Sequence, residues 1–187
     1  MKEIPVPTLK AAAGGDMKAF EEIYKAISGY VYSIALRITN NGSDAEEVTQ
    51  DVFLKIHQNL NNFRFRASFR TWLYRISANT AISVYRRRAA ENRRRGDYDI
   101  ALKTKAAVDT AGGNIDREYN NSLVTRLLGI LNPEQKACLI LREMENLSYR
   151  EIAAVLKINI NTVRTRLKRA REKIMKYSQK EVILNEL

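Results

Sequence analysis

The sequence predicts an all-α protein: two small helical domains joined by a flexible linker, with a helix-turn-helix in the second. Three observations predict it. Apolar residues recur three and four apart along most of the chain, and no run reads as a series of strands. Only 3 Pro and 8 Gly interrupt 187 residues. Between about residues 96 and 117 the helical pattern dissolves, and Gly112-Gly113-Asn114 breaks it completely before it resumes. The domains expected are residues 1–90 and 118–187, with 91–117 as a linker that is mostly disordered in isolation.

The formal charge of +11 and the pI of about 9.8 favour an acidic polymer as partner, nucleic acid first and an anionic membrane surface second. A hydrophobic content of 45% is enough for packed cores. A single cysteine, Cys138, excludes an intrachain disulfide framework and reads as a buried structural thiol. The opening MKEIPVPTLK has no apolar core of a signal peptide, and no apolar run approaches the length of a membrane span. A soluble, intracellular protein is the expectation.

Residues 1–10 read as a loose tail, because Pro5 and Pro7 oppose helix. A first helix is expected from Asp16, its cap, with Phe20, Ile23, Tyr24, Ile27, Val31, Ile34 and Ile38 as its apolar stripe. Asn40-Asn41-Gly42 ends it as a turn. Ser43 is expected to cap the next helix, with Glu46 at the capping-box position. Ala45, Val48, Val52, Phe53 and Ile56 form its inner face, and Glu46, Glu47, Gln50 and Asp51 its outer one. Carboxylates in a first turn suit the helix dipole, which accounts for Asp44, Glu46 and Glu47. Asp51 lies two turns in, where that explanation fades, so a protein-binding face stands beside it.

The connection from Asn59 to Ser68 holds Phe63-Arg64-Phe65-Arg66. Interleaved Phe and Arg can stack on unpaired bases and grip phosphates, or one Phe can simply plug the core. Ser68 opens a third helix with Trp72, Leu73, Ile76, Thr80 and Val84 inside and Arg75, Asn79 and Ser83 on a polar side. Trp72 is expected to be a core anchor. Six arginines follow (Arg86, Arg87, Arg88, Arg93, Arg94 and Arg95), as at a helix end that favours phosphate.

In the second domain Leu123, Leu127, Leu128 and Leu131 make one helix. Asn132-Pro133 starts another as cap and first-turn proline, with Gln135 at capping-box spacing. Ala137, Leu139, Ile140, Leu141 and Met144 are expected to pack on the helix-turn-helix that follows, with Arg142 and Glu143 pointing elsewhere. Ser148 and Glu151 form the next capping box, and Ile152, Val155 and Leu156 share a face. Lys157 to Asn159 turn the chain, and either Asn159 or Asn161 caps the last helix. There Val163, Leu167, Ala170 and Ile174 form a buried stripe. The opposite face carries Asn161, Thr162, Arg164, Thr165, Lys168 and Arg169, with Glu172 its only acid. Such a face suits a DNA groove, since the arginine fork bonds guanine edges or phosphate bidentately. An ordinary helical hairpin with a solvated basic face is the plainer alternative. Residues 176–187 read as a fraying tail.

Three stretches together, DAEEVTQDVFLKIHQNL at 44–60, FRTWLYRISANTAISVYRRR at 69–88 and LREMENLSYREIAAVLKININTVRTRLKRAREK at 141–173, resemble the bacterial RNA polymerase sigma factors of the extracytoplasmic-function group. The likeness covers roughly residues 16–88 and 118–176. It implies a first domain that melts and reads the promoter's minus-ten element and a second that reads the minus-thirty-five element as duplex. Glu47, Gln50 and Asp51 match positions that dock on the polymerase clamp. Phe63, Arg64 and the loop to Ser68, with Asn79, match the holder of a flipped base, bordered by Trp72 and Arg75. Arg142, Arg164, Thr165 and Arg169 match duplex-contacting positions, and Lys168 shares their basic face. The implied partners are core RNA polymerase, promoter DNA and an inhibitory anti-sigma protein, with no cofactor, metal or membrane insertion. Two departures stand out. Phe65 and Arg66 replace the Gly and acid usual in the loop, and Lys157 stands where a Gly usually closes the helix.

Two other functions compete. A stand-alone helix-turn-helix regulator would have no use for the acidic helix or the linker. A nucleic-acid enzyme would need metal-grade carboxylate or His/Cys clusters, and the only histidine, His57, has no nearby cysteine in sequence. The chain is therefore expected not to be an enzyme.

Overall fold

A computed structural model of the chain describes residues 3–63, 68–94 and 123–185. Among these the chain forms eight α-helices and a 3-10 turn, in two units that divide inside one long helix, after Val84. The all-α expectation holds.

The first unit comprises α1 (Val6–Ala13), α2 (Met17–Thr39), α3 (Gly42–Asn59), the 3-10 turn Leu60–Asn62 and the start of α4 (Phe69–Arg94). The expected loose tail is instead helix α1. Its prolines cause no loss, because Pro5 is the cap and Pro7 lies in the first turn, where the N–H has no helical partner. Burial of Ile4 and Leu9 supplies the reason to fold. Asp16 caps α2 as expected, its carboxylate accepting from the N–H of Lys18 at 2.8 Å and of Ala19 at 3.1 Å. Ile23, Ile27, Val31, Ile34 and Ile38 are buried, but Tyr24 remains 48% exposed with one ring face on Phe53.

The cap of α3 is Asn41, not Ser43: its Oδ1 accepts from the Asp44 N–H at 2.9 Å. Asn40, left-handed at φ 58°, already completes the turn, so Gly42 and Ser43 join the helix. Ala45, Val48, Val52, Phe53 and Ile56 form the inner face as expected. Ser68 opens α4, accepting from the Thr71 N–H at 3.1 Å. The core face of α4 is wider than the expected stripe. Tyr74, Ser77, Ala78 and Ala81 are buried beside Leu73, Thr80 and Val84, while Ile76 is only half-buried. Ser77 satisfies its hydroxyl on the Leu73 carbonyl at 2.9 Å. Lys55 Nζ donates to Thr80 Oγ1 at 2.8 Å and ties α3 to α4.

The second unit holds α5 (Leu123–Gly129), α6 (Pro133–Glu143), α7 (Tyr149–Leu156) and α8 (Ile160–Asn185). Both expected capping boxes form, Asn132 with Gln135 and Ser148 with Glu151. The Ser148 hydroxyl and N–H hold the Glu151 carboxyl below the usual carboxylate range. α8 packs on α6 and α7 through Val163, Leu167 and Ala170, with Ile174 half-buried. Asn159 is the residue at the head of α8: its Oδ1 accepts from the Asn161 N–H at 2.8 Å. α8 also continues to Asn185, where fraying is expected from the sequence. On α6, Met144 is exposed and Leu139 half-buried, and Gln135, Lys136 and Cys138 are inside instead. Burial pushes the Cys138 thiol up to about 11, so it is inert packing.

The turn after α7 places Lys157 in the left-handed region, φ 53° and ψ 47°, while its N–H and that of Ile158 both reach the Ala153 carbonyl. Asn40 and Asn146 share this conformation, which asparagine adopts at less cost than lysine. Replacing Lys157 by Gly should raise the stability of this unit by up to about 1 kcal/mol, net of glycine's larger unfolded-state entropy. Urea titration of the two proteins checks this.

Candidate polymerase and nucleic-acid interfaces

Three surfaces gather the residues singled out from the sequence. The first is the outward face of α3. Glu47, Gln50 and Asp51 fall within about a quarter of the helix circumference, three and four residues apart. Glu46 and Gln50 are exposed, and Glu47 and Asp51 half-buried. The buried stripe through Val48, Val52 and Ile56 fixes the face outward, so the carboxylates meet water rather than the core. Leu54 continues this face one turn on and is exposed. The His57 ring, on the flank, stands edge-to-face with that of Phe20, centroids 5.2 Å apart.

The second surface joins the end of the 3-10 turn to α4. Phe63, Phe69 and Trp72 form a three-ring cluster with centroids 5.1 to 5.9 Å apart. Phe69 and Trp72 are buried and Phe63 is half-buried, so the indole is the core anchor expected and Phe63 is the ring nearer solvent. Arg75 and Asn79, half-buried, lie on α4 one and two turns from Trp72, and Ser83 bonds back to the Asn79 carbonyl at 2.9 Å. Arg64, Phe65 and Arg66 lie outside the described residues, as do residues 95–117 of the expected linker, while residues 91–94 continue α4. Sequence reasoning missed the placement of Arg70, whose guanidinium sits 5.7 Å over the Tyr30 ring. Phe-Arg-x-Trp gives no sign of a partner forty residues earlier.

The third surface is the outer face of α8. Arg164, Thr165, Lys168 and Arg169 are exposed together, opposite Val163, Leu167 and Ala170. Arg164 Nη1 donates to Asn161 Oδ1 at 3.0 Å, and Thr165 Oγ1 donates to the Asn161 carbonyl at 2.9 Å. Lys168 lies 3.8 Å from Glu172, both well exposed, a pair worth little in water. Arg142 is more constrained. It donates to the Leu147 carbonyl at 2.9 Å and stacks 5.5 Å over Tyr149, so it braces the loop into α7 while half-exposed. Among the described residues no group of three His, Cys, Asp or Glu lies close enough to hold a metal ion. No described helix is long and apolar enough to cross a membrane.

These parts define a transcription factor of the sigma-70 type. Residues 23–91 match the family Sigma-70 region 2, and residues 122–174 match Sigma-70, region 4. Within that type the chain belongs to the extracytoplasmic-function group of bacterial RNA polymerase sigma factors. It is 34% identical over 171 residues to the ECF RNA polymerase sigma-E factor of Escherichia coli K12, covering 86% of each chain. It is 33% identical over 174 residues to the RNA polymerase sigma-H factor of Pseudomonas aeruginosa, covering 88% of this chain and 89% of the relative. The fold is similar to that of the sigma factor RpoE solved in complex with the anti-sigma factor NepR from Bartonella quintana. The TM-score is 0.62 at 20% identity, over 87% of this chain and 98% of that one. It is likewise similar to CnrH in complex with the cytosolic domain of CnrY, TM-score 0.61 at 23% identity, over 92% and 95%. Membership of this family supports the sigma-factor reading over a stand-alone regulator.

Proposed function

We propose that the three surfaces divide the work of promoter-directed initiation. The chain is a sigma factor: it binds core RNA polymerase and directs promoter recognition, melting and initiation. In the proposed division, Glu47, Gln50 and Asp51 on α3 dock on a basic element of the polymerase clamp. Phe63 and Arg64, with Arg75 and Asn79, receive an unstacked base of the minus-ten strand, and Trp72 backs Phe63 from the core. Arg142, Arg164, Thr165, Lys168 and Arg169 hold the minus-thirty-five duplex. The working domains are residues 1–90 and 118–187, with 91–117 passing between them toward the polymerase active-site and RNA-exit region. The chain acts in the cytoplasm with its polymerase, changes no covalent bond, and is restrained by an anti-sigma protein that covers the acidic or the basic helix.

The observation that carries this reading is the pair of family matches, in order, residues 23–91 and 122–174. The charge pattern agrees with it: carboxylates are repelled by DNA and attract a basic protein surface, while arginines do the reverse. Extruding a base costs stacking energy, which a polar and aromatic pocket offsets.

Binding to purified core enzyme and transcription from a promoter library test the reading, and failure to bind core would support the regulator instead. Arg164→Ala or Arg169→Ala should weaken duplex binding by ~1–3 kcal/mol if the residue reads a base. A phosphate contact would instead lower the salt slope by roughly one, almost independently of sequence. Filter binding across salt separates the two, and no change in either quantity removes the residue from the interface.

A further inference from the structure

We propose that α1 positions the minus-ten pocket: Leu9 holds the 3-10 turn Leu60–Asn62 in place, and through it sets where Phe63 stands against Trp72. This deepens the base-receiving role proposed for Phe63, and rests on it. α1 lies outside the Sigma-70 region 2 match, which begins at residue 23. It packs on α2 and on the 3-10 turn, and Leu9, 2% exposed, is its one buried residue. Leu60, 3% exposed, is likewise the one buried residue of the turn. Phe63 follows directly, its N–H donating to the Leu60 carbonyl at 3.1 Å.

A 3-10 turn this short has no stability of its own, so its place is set by what Leu60 is pressed against. On one side the turn continues from α3, and on the other it meets α1. α1 can serve as a fixed support because its joint to α2 is closed by hydrogen bonds. The Gly14 N–H donates to the Lys10 carbonyl at 3.0 Å, the Gly15 N–H to the Ala12 carbonyl at 3.1 Å and the Asp16 N–H to the Ala11 carbonyl at 3.1 Å. Gly15 takes φ 97°, which a residue without Cβ adopts freely. Burying Leu9 would add stability wherever it sat. Its location is what points further, because the turn it supports leads straight into the ring cluster. Phe63 stands 5.1 Å from Trp72 and 5.9 Å from Phe69, centroid to centroid. A small shift of the turn would change how those rings meet and where a base could enter beside them. A receiving site works when its walls are held in place before the ligand arrives. α4 holds Phe69 and Trp72, and the turn propped by α1 holds Phe63.

The test measures open-complex formation by holoenzyme on a duplex promoter taken from the library, with the affinity of the full chain for core measured beside it. Leu9→Ala should open the promoter about tenfold less well and keep core affinity within about twofold. Leu9→Met should open it within about threefold of the parent, because apolarity and volume survive. Val6→Ala, at an exposed side chain of α1, should change nothing. A purely structural role would also lower opening, so the deciding comparison is made without the Phe63 ring. In a Phe63→Ala background, adding Leu9→Ala should cost less than about twofold, because the group it positions is gone. An equal loss in both backgrounds would mean that α1 acts on opening by another route, and would overturn the proposal. Full opening by Leu9→Ala would overturn it too. If Phe63→Ala alone opens the promoter like the parent, the pocket reading itself fails, and the positioning role with it. If Leu9→Ala also lowers core affinity, the unit has come apart, and Leu9→Val carries the same cycle. It should then lose about threefold with Phe63 present and nothing without it, and an equal loss in both again overturns the proposal.

Discussion

Replacing Lys136 by methionine should stabilise the second unit by about 3 kcal/mol at neutral pH. Lys136 lies on α6 with 3% of its surface exposed, and burial pulls its ammonium down to about 8 from the usual 10.5. No carboxylate among the described residues pairs with it. The fold therefore prefers the neutral amine, and the sign of the linkage follows. Above about pH 10.5 the amine is neutral whether the chain is folded or not, and the group has no effect. As pH falls from there to about 8, the unfolded chain takes up a proton that the folded chain resists, and stability declines. Below about 8 both states are charged and the penalty is constant, at its full value. Methionine keeps the long unbranched stem without the charge. Urea titrations of parent and variant at pH 7 and near pH 10.5 should show a large gap at the first and almost none at the second. An equal gap at both would mean that packing, not charge, separates them.

Truncating Leu167 to alanine should cost about 2–5 kcal/mol, because the side chain is 0% exposed and its removal leaves a cavity between α8 and the helices it packs on. A unit this small has only about 5–15 kcal/mol in total, so the loss takes a large share of its stability. Arg169 lies two residues on, on the exposed side of the same helix, and Arg169→Ala should shift stability by no more than about 0.5 kcal/mol. The two variants therefore separate folding from recognition. Leu167→Ala should lower the urea midpoint and lose duplex binding only as the unit unfolds. Arg169→Ala, if the proposed contact holds, should weaken duplex binding with the midpoint unchanged. Core binding, proposed to run through α3, should survive both, and its loss in Leu167→Ala would show that the two units do not act separately.

Much of this molecule was legible before any coordinates. The buried stripes of α2, α3 and α8, the Asp16 cap and both capping boxes depend on spacing between near neighbours in the chain, and a helix imposes that spacing regardless of surroundings. Turning Arg164 and Arg169 outward required only that Val163, Leu167 and Ala170 turn inward. The acidic face of α3 followed in the same way from its apolar one. The misreadings share one cause. Pro5 and Pro7 look hostile to helix until Ile4 and Leu9 find a core to enter. Ser43 and Asn41 are both competent caps, and the left-handed Asn40 decides between them. The Arg70 and Tyr30 pair spans forty residues, beyond any local pattern.

The sequence by itself determined the helical class, the ordering of two units and which faces of α3 and α8 meet water, because those follow from the period of a helix and the preference of apolar groups to leave water. Only the tertiary structure decided how deeply each residue is buried. Lys136 became a buried lysine, Trp72 a support behind Phe63, and Leu54 an exposed apolar side chain one turn beyond Asp51. Burial depends on what other elements lay against a residue, and distant parts of the chain settle that.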